Sequence, residues 1–223
     1  MCGRFLSTTS AADLAAAFGA ELATEERPPR YNVAPTDEVY AVAEHGDRRR
    51  LGVVRWGLVP PWAESPRVGA RMINARAETL LDKEVFRGPL ARRRCVLPAD
   101  GFYEWTRGDG AKQAWHLRPR DGGILAFAGL WESWRRRSED GDRVVSATIV
   151  TTAANEAVAP VHDRMPVCLP REAWDEWLDP ANDDVLGLTA LLVPAPEALL
   201  ELRPIGPAVG NVANDGPELL TAR

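Results

Sequence analysis

Cys2 is the residue with the most chemistry to offer. A small residue at position 2 normally leads to trimming of the initiator methionine. Loss of Met1 leaves a cysteine whose free α-amine and thiol sit on adjacent carbons. With reference pKa values of about 7.7 to 8.0 for the amine and about 8.5 for the thiol, both are partly nucleophilic near neutrality. An aldehyde meeting such an aminothiol forms a Schiff base with the amine, and the thiol then adds to the same carbon to close a thiazolidine ring. The second step is intramolecular and draws on effective molarities of roughly 10⁵ M or more, so the product outlives a simple imine. If Met1 stays, Cys2 is an incidental small apolar residue, and position alone favours that plainer reading.

Three further stretches hold side chains that such chemistry needs. Met72-Ile73-Asn74-Ala75-Arg76-Ala77-Glu78-Thr79 sets a short amide before a predicted helix, where a helix cap accounts for Asn74 without any function. Pro98-Ala99-Asp100-Gly101-Phe102-Tyr103-Glu104-Trp105 puts an acid between two aromatics at the start of a strand. Alternation sends Glu104 to the face opposite Tyr103 and Trp105. It is either a solvent-facing strand residue or a partly desolvated carboxyl with a raised pKa, suited to proton transfer. Val161-His162-Asp163-Arg164-Met165-Pro166 offers a histidine beside a charged pair in a loop, and most such histidines are merely solvated.

The elements that must position these residues are short. A helix is predicted over residues 10–20, with Ser10 or Thr9 as cap and Leu14 and Phe18 four apart on one face. Residues 39–43 and 51–56 read as strands around a polar turn at 44–47, and residues 103–105 and 114–117 flank the turn signal Gly108-Asp109-Gly110. Strand-like runs follow at 124–130 and 144–151, separated by the polar stretch 135–142, which reads as a solvated hairpin tip. Cys95 in Arg94-Cys95-Val96-Leu97 and Cys168 in Val167-Cys168-Leu169 read as buried packing residues. Helices are predicted at 75–83 and at 171–178, the second carrying Trp174 and Trp177, and residues 204–212 read as a closing strand region. Strands that do not alternate with long helices point to an α+β fold with a mostly antiparallel core. No repeat or composition shift marks a boundary, so a single domain over residues 1–223 is expected.

The 223 residues, 45% apolar and 26% charged, have the balance of an ordinary globular chain, which excludes disordered and coiled-coil classes. No stretch reaches the roughly 20 apolar residues a membrane span requires, since residues 188–200 are broken by Pro194 and Pro196. The N-terminus lacks the apolar core of a signal peptide, so the cytoplasm is expected, on the nucleoid when bound to DNA. Three widely spaced cysteines make no disulfide framework, and without CxxC or zinc-ligand spacing no metal and no cofactor are expected. A net charge of −5 leaves nucleic-acid binding to a local patch.

Together these segments resemble the SOS response-associated peptidase family (SRAP), whose members process abasic sites in DNA. The resemblance runs nearly end to end, in order: Met1-Cys2-Gly3-Arg4-Phe5, Tyr31-Asn32-Val33-Ala34-Pro35-Thr36, Trp56-Gly57-Leu58-Val59-Pro60-Pro61-Trp62, the Asn74 segment, the Glu104 segment, Phe127-Ala128-Gly129-Leu130-Trp131-Glu132, Thr151-Thr152-Ala153-Ala154-Asn155 and the His162 segment. Eight segments in one order are far more specific than any one of them. The resemblance implies a barrel-like β core flanked by short helices.

It also implies a catalytic set of Cys2, Asn74, Glu104 and His162. In that set Asn74 orients the Cys2 amine and thiol. Glu104 shuttles protons during ring opening and imine formation, and His162 assists at the sugar hydroxyl. Arg4, Arg76 and Arg164 become phosphate ligands, with Asn32 and Trp62 as base contacts in a single-strand groove. For Trp62, ordinary core packing explains its type nearly as well. The implied activity is a covalent crosslink to abasic sites in single-stranded DNA, made by a monomer. Two other readings compete: a thiol peptidase in which Cys2 attacks a peptide bond with His162 as base, limited in the extreme to removing Met1, and a DNA-binding module whose Cys2 is incidental. Peptide hydrolysis gives no reason for a thiol beside a free amine, whereas aldehyde capture does.

Overall fold

The computed structural model describes residues 2–106, 112–135 and 143–221. Its first half runs β1 (Phe5–Ser7), α1 (Ala11–Phe18), β2 (Glu21–Leu22), β3 (Arg30–Val33), β4 (Glu38–His45), β5 (Arg48–Trp56), β6 (Asn74–Arg76) and α2 (Glu84–Arg92). The second half runs β7 (Arg94–Ala99), β8 (Gly101–Trp105), β9 (Ala114–Pro119), β10 (Leu125–Arg135), β11 (Arg143–Ala153), β12 (Arg164–Pro166), α3 (Trp174–Leu178), α4 (Val185–Ala190) and β13 (Leu200–Ile205). The turn signal at 108–110 and the polar tip at 136–142 lie outside the described residues.

The hairpin β4–β5 is apolar on both faces, so it has to be covered twice. On one face Val39 stands opposite Val54 and Ala41 opposite Gly52; on the other, Tyr40 stands opposite Val53 and Val42 opposite Leu51. The first face turns into a barrel. Antiparallel pairings run β11–β10–β7–β4–β5, and a short parallel seam, Ser146 with Arg55 and Ala147 with Trp56, joins β11 back to β5 and closes five strands into a ring. The second face packs against helices: Tyr40, Val42 and Leu51 share a cluster with Leu14 and Phe18 of α1, Phe86 and Leu90 of α2, and Trp177 of α3.

A second sheet, in the order β13-β9-β8-β1-β3, caps one end of this barrel. Its Phe5 meets Trp56 edge-on with ring centroids 5.0 Å apart, and its Phe102 meets Phe127 at 5.9 Å. Burying such a side chain stabilises the fold by about 1.5 to 3 kcal/mol, and these aromatic contacts join the two sheets into one interior. Gly57, at φ +122°, lets the chain leave β5; a Cβ there would collide with the backbone carbonyl of Gly69. That close approach folds residues 57–72 back on themselves and carries Trp62 out to the surface.

The α+β fold with its barrel-like core agrees with the sequence reading, and α1 begins at the expected cap but ends at Phe18, two residues before the expected end. The Ser10 hydroxyl accepts from the backbone of Asp13, and Gly19 takes the left-handed C-cap at φ 60°. The helix predicted at 75–83 is not there. Residues 74–76 form β6, which pairs in parallel with β11 (Ile149 with Asn74, Thr151 with Arg76), and only a 3-10 turn at Ala77–Thr79 follows. Sheet pairing satisfies this backbone better than an isolated helical turn would, so local propensity is overridden. Helix α2 was hidden in the sequence by Gly88 and Pro89 inside it, and Arg94 secures its end by donating to the carbonyls of Leu90 and Ala91, both at 2.7 Å. The closing strand is β13, which pairs with β9 earlier in the chain than residues 204–212 suggested. No helix among the described residues is long and apolar enough to cross a membrane.

Candidate active site

Cys2 lies at the capped end of the barrel, in the same cluster as Phe5, Trp56, Phe102 and Phe127, with none of its surface exposed. Asn74, at the start of β6, donates from Nδ2 to the Cys2 carbonyl oxygen at 2.8 Å. That bond exists because β6 is a strand: parallel pairing with β11 fixes Asn74 beside the N-terminal segment. The other half of the same amide, Asn74 Oδ1, is buried and has no hydrogen-bond partner among the described residues. Burial pushes the Cys2 thiol well above its ordinary value, and the nearby Glu104 carboxylate pushes it further. Met1 lies outside the described residues.

Glu104 is 3% exposed, which rules out the solvent-facing alternative. Alternation along β8 is kept. Phe102 faces the cluster that holds Cys2, while Tyr103 and Trp105 face a separate cluster with Ile205 and Val209. Glu104 shares the Phe102 side and so points its carboxyl into the barrel cap. His162 closes the loop between β11 and β12 and is 6% exposed, so it is not a solvated loop residue. Asn155 shapes that loop, accepting from the Val158 backbone at 3.0 Å and donating to the Ala195 carbonyl at 2.8 Å. His162 Nδ1 accepts the Arg164 backbone N–H at 2.9 Å, so in the neutral ring Nδ1 carries the lone pair and Nε2 the proton. The same Nδ1 lies 3.0 Å from Asp163 Oδ1, a contact that becomes an ion pair only when the ring gains a second proton.

The three arginines differ. Arg76 is exposed and, two residues from Asn74 along β6, lies on the same strand face. Arg164 is partly buried and held in an ion pair. Its fork meets both carboxylate oxygens of Glu78 at 2.6 and 2.9 Å, and Nη2 also donates to the Thr151 carbonyl at 2.7 Å. This pairing draws the Glu78 carboxyl below the usual carboxylate range. Arg4 donates from Nη1 to Asn32 Oδ1 at 3.1 Å and to the Val209 carbonyl at 3.0 Å. Only Arg76 thus has its charge directed to solvent.

Asn32 is fully buried, and its Nδ2 reaches the carbonyls of Val209, Asn211 and Asn214 at 2.9 to 3.1 Å. Where the sequence suggested a base contact, the structure has a clamp that ties β3 to the C-terminal segment. Asp215 completes it by accepting from the backbone of Tyr31 and Asn32. Trp62 is 54% exposed, so core packing does not explain it. It borders a small groove with Trp134, whose indole donates to the Ala63 carbonyl at 2.7 Å. Sequence reasoning missed Glu78, Asp215 and Trp134; Glu78 and Trp134 stand within or just beyond quoted segments, but nothing local announces their partners. Cys95 and Cys168 are buried free thiols, as expected. Among the described residues no cluster of three or more His, Cys, Asp or Glu side chains could hold a metal ion.

Comparison with known proteins gives a consistent picture. The profile of the family described as SOS response associated peptidase (SRAP) matches residues 1–212. The chain is 41% identical over 223 residues to the abasic site processing protein YoqW of Bacillus subtilis, covering 99% of each chain. It is 31% identical over 229 residues to the abasic site processing protein YedK of Escherichia coli, again covering 99% of each. With the abasic site processing protein HMCES of Gallus gallus it shares 31% identity over 262 residues, covering 99% of this chain and 77% of the other. Among solved structures, a phage-related protein of Bordetella bronchiseptica superposes with a TM-score of 0.71 at 31% identity, covering 92% of this chain and 94% of that one. A protein of Bacteroides thetaiotaomicron superposes over the whole of both chains with a TM-score of 0.89 at 23% identity, which speaks for the fold.

Proposed function

The chain belongs to the SRAP family, and from that premise we propose that it processes abasic sites in DNA by a covalent link through Cys2. The observation that carries the reading is the seating of Cys2: buried, held at its carbonyl by Asn74, with its thiol raised by burial and by the charge of the Glu104 carboxylate. Loss of Met1 turns the Cys2 amide nitrogen into a primary amine. An abasic sugar opens from its hemiacetal to an aldehyde with help from an acid and a base, roles that fall to Glu104 and His162. The amine attacks the aldehyde carbon and water leaves, giving a protonated Schiff base. The thiol then adds to that carbon, its proton passing to the Glu104 carboxylate, while the C=N electron pair returns to the nitrogen and leaves it a neutral secondary amine. One water is released overall, and the product is a thiazolidine.

The chemistry also separates this reading from a peptidase. A thiol held protonated by burial and a neighbouring carboxylate is a poor nucleophile toward a peptide carbonyl. Toward an iminium carbon, with a carboxylate at hand to take its proton, it is well suited. Asn74 Oδ1, buried and unpartnered among the described residues, supplies an acceptor for the new amine of Cys2. Arg76 and the exposed Trp62 offer a cation and a stacking face for a single strand, and a nucleotide without a base needs little unstacking to enter the site.

The test is incubation of the mature protein with single-stranded DNA carrying one abasic site, followed by a denaturing gel and intact-mass measurement. Wild-type protein lacking Met1 is expected to form an adduct that survives denaturation, and Cys2→Ala is expected to form none while still shifting the DNA in a native gel. Adduct formation by protein that retains Met1, or through Cys95 or Cys168, would overturn the assignment.

A further inference from the structure

The barrel interior has two ends, and only one is filled. Inward-facing residues alternate along each strand of a barrel. On β5 they run from Trp56, in the cluster with Cys2, to Arg50 at the opposite end. In the middle the packing is tight: a Cβ at Gly129 would collide with the Leu97 side chain and lie 2.9 Å from Cys95 Sγ. Beyond that plug it stops. A Cβ at Gly52 would meet nothing within 4 Å, and Ala41, Ala43, Gly52 and Val145, with Trp131 beside them, leave a cavity of about 440 Å³ that opens between Arg50 and Arg143.

We propose that this open end is a binding site for a small amphipathic anion, with an apolar body against the Ala41, Gly52 and Val145 walls and one anionic headgroup at Arg50 and Arg143. Glycine inside a strand weakens the sheet and often marks a place where something else approaches. An unfilled interior also forfeits packing that larger side chains would supply. The volume is that of small-molecule sites. Among the described residues charge at the mouth is one-sided: Glu44, the one acid lining the cavity, is already engaged by Arg49 at 2.6 and 2.9 Å. Among the described residues Arg50 has just a loose contact with Glu21 at 3.7 Å, and Arg143 only a hydrogen bond to the Ser133 hydroxyl. The indole N–H of Trp131 is buried without a partner among the described residues, a donor that an acceptor on the ligand would satisfy.

The test is a titration of the full chain with the fluorescent anion 1-anilinonaphthalene-8-sulfonate, followed by displacement with decanoate or with neutral decanol. One saturable site is expected, emptied by decanoate and not by decanol at equal concentration. Gly52→Leu, which fills the cavity from a position of ordinary φ, should weaken binding by roughly tenfold or more while leaving abasic-site crosslinking unchanged. Arg143→Gln should weaken binding most at low salt. Should Gly52→Leu fail to fold, Ala43→Leu takes its place, and amide shifts of the wild type on adding decanoate should centre on Ala41, Gly52 and Val145. Dye binding unchanged in a folded cavity-filling variant, equal displacement by decanol, or shifts centred elsewhere would each overturn the proposal.

Discussion

The two ends of one barrel show opposite solutions to the same packing problem. At the capped end, large aromatics from two sheets fill the interior around Cys2; strand pairing fixes Asn74 and Glu104, and His162 is buried in the loop between β11 and β12. At the other end the smallest side chains face inward and the charges stay on the rim. A reactive group gains a shifted pKa and a fixed orientation only where the surroundings cannot relax. The filled end can therefore do chemistry, while the open end can only accommodate.

The contrast can be broken most sharply through Glu104. Glu104→Gln keeps shape and hydrogen bonding but cannot titrate, so adduct formation should slow by roughly 10² to 10⁴ with DNA affinity kept. With ring opening as the slow step, a small aldehyde with no ring to open should react with Cys2 at nearly the wild-type rate in the same variant. A time course with both substrates checks this, and equal slowing of both would make imine or thiol chemistry the slow step that Glu104 serves.

A second test uses pH. His116 lies on β9 of the capping sheet, where burial, then the charges of Arg118 and Arg203, lower it from the ordinary 6.5 to about 4. The folded state thus resists a proton that the unfolded chain accepts. Stability from this group is complete above about pH 6.5, declines as pH falls toward about 4, and is flat below, a total on the order of 3 kcal/mol. Urea unfolding midpoints across that window should fall less steeply in His116→Gln than in wild type, and identical slopes would remove His116 from the account.

Two glycines sharpen the comparison directly. Gly129→Ala, at the packed middle, should destabilise by about 1 to 3 kcal/mol through overpacking. Gly52→Ala, at the open end, should stabilise by about 0.5 to 1 kcal/mol because the strand gains a residue with less freedom to lose. Denaturant unfolding of both variants decides it, and similar values of one sign would mean that the two ends are packed alike. The smallest effect concerns DNA. Arg76→Ala should flatten the log-log salt dependence of single-strand binding by about 0.7. Arg164→Ala, which loses a fork already spent on Glu78, should act through stability and leave that slope in place; equal slope changes would show that DNA displaces Glu78.

Much of the site could be read from residue type and period. Strand alternation puts Glu104 on the face opposite Tyr103 and Trp105, and Ser10 marks the start of α1. These are local signals, decided by neighbours within a few residues. What tertiary structure alone decided lies in pairs distant along the chain. Asn74 reaches the Cys2 carbonyl because β6 pairs with β11, a contact that turned a predicted helix into a strand. Arg164 is spent on Glu78, and Asn32 on the C-terminal segment, because the fold sets a carboxylate beside the one and a row of carbonyls around the other. The open end of the barrel has the same origin: Ala41 and Gly52 are unremarkable strand residues until ring closure sets them around a space that no other described side chain fills. Local propensity and period specify which way a side chain faces. Only closure of the sheet specifies what it faces.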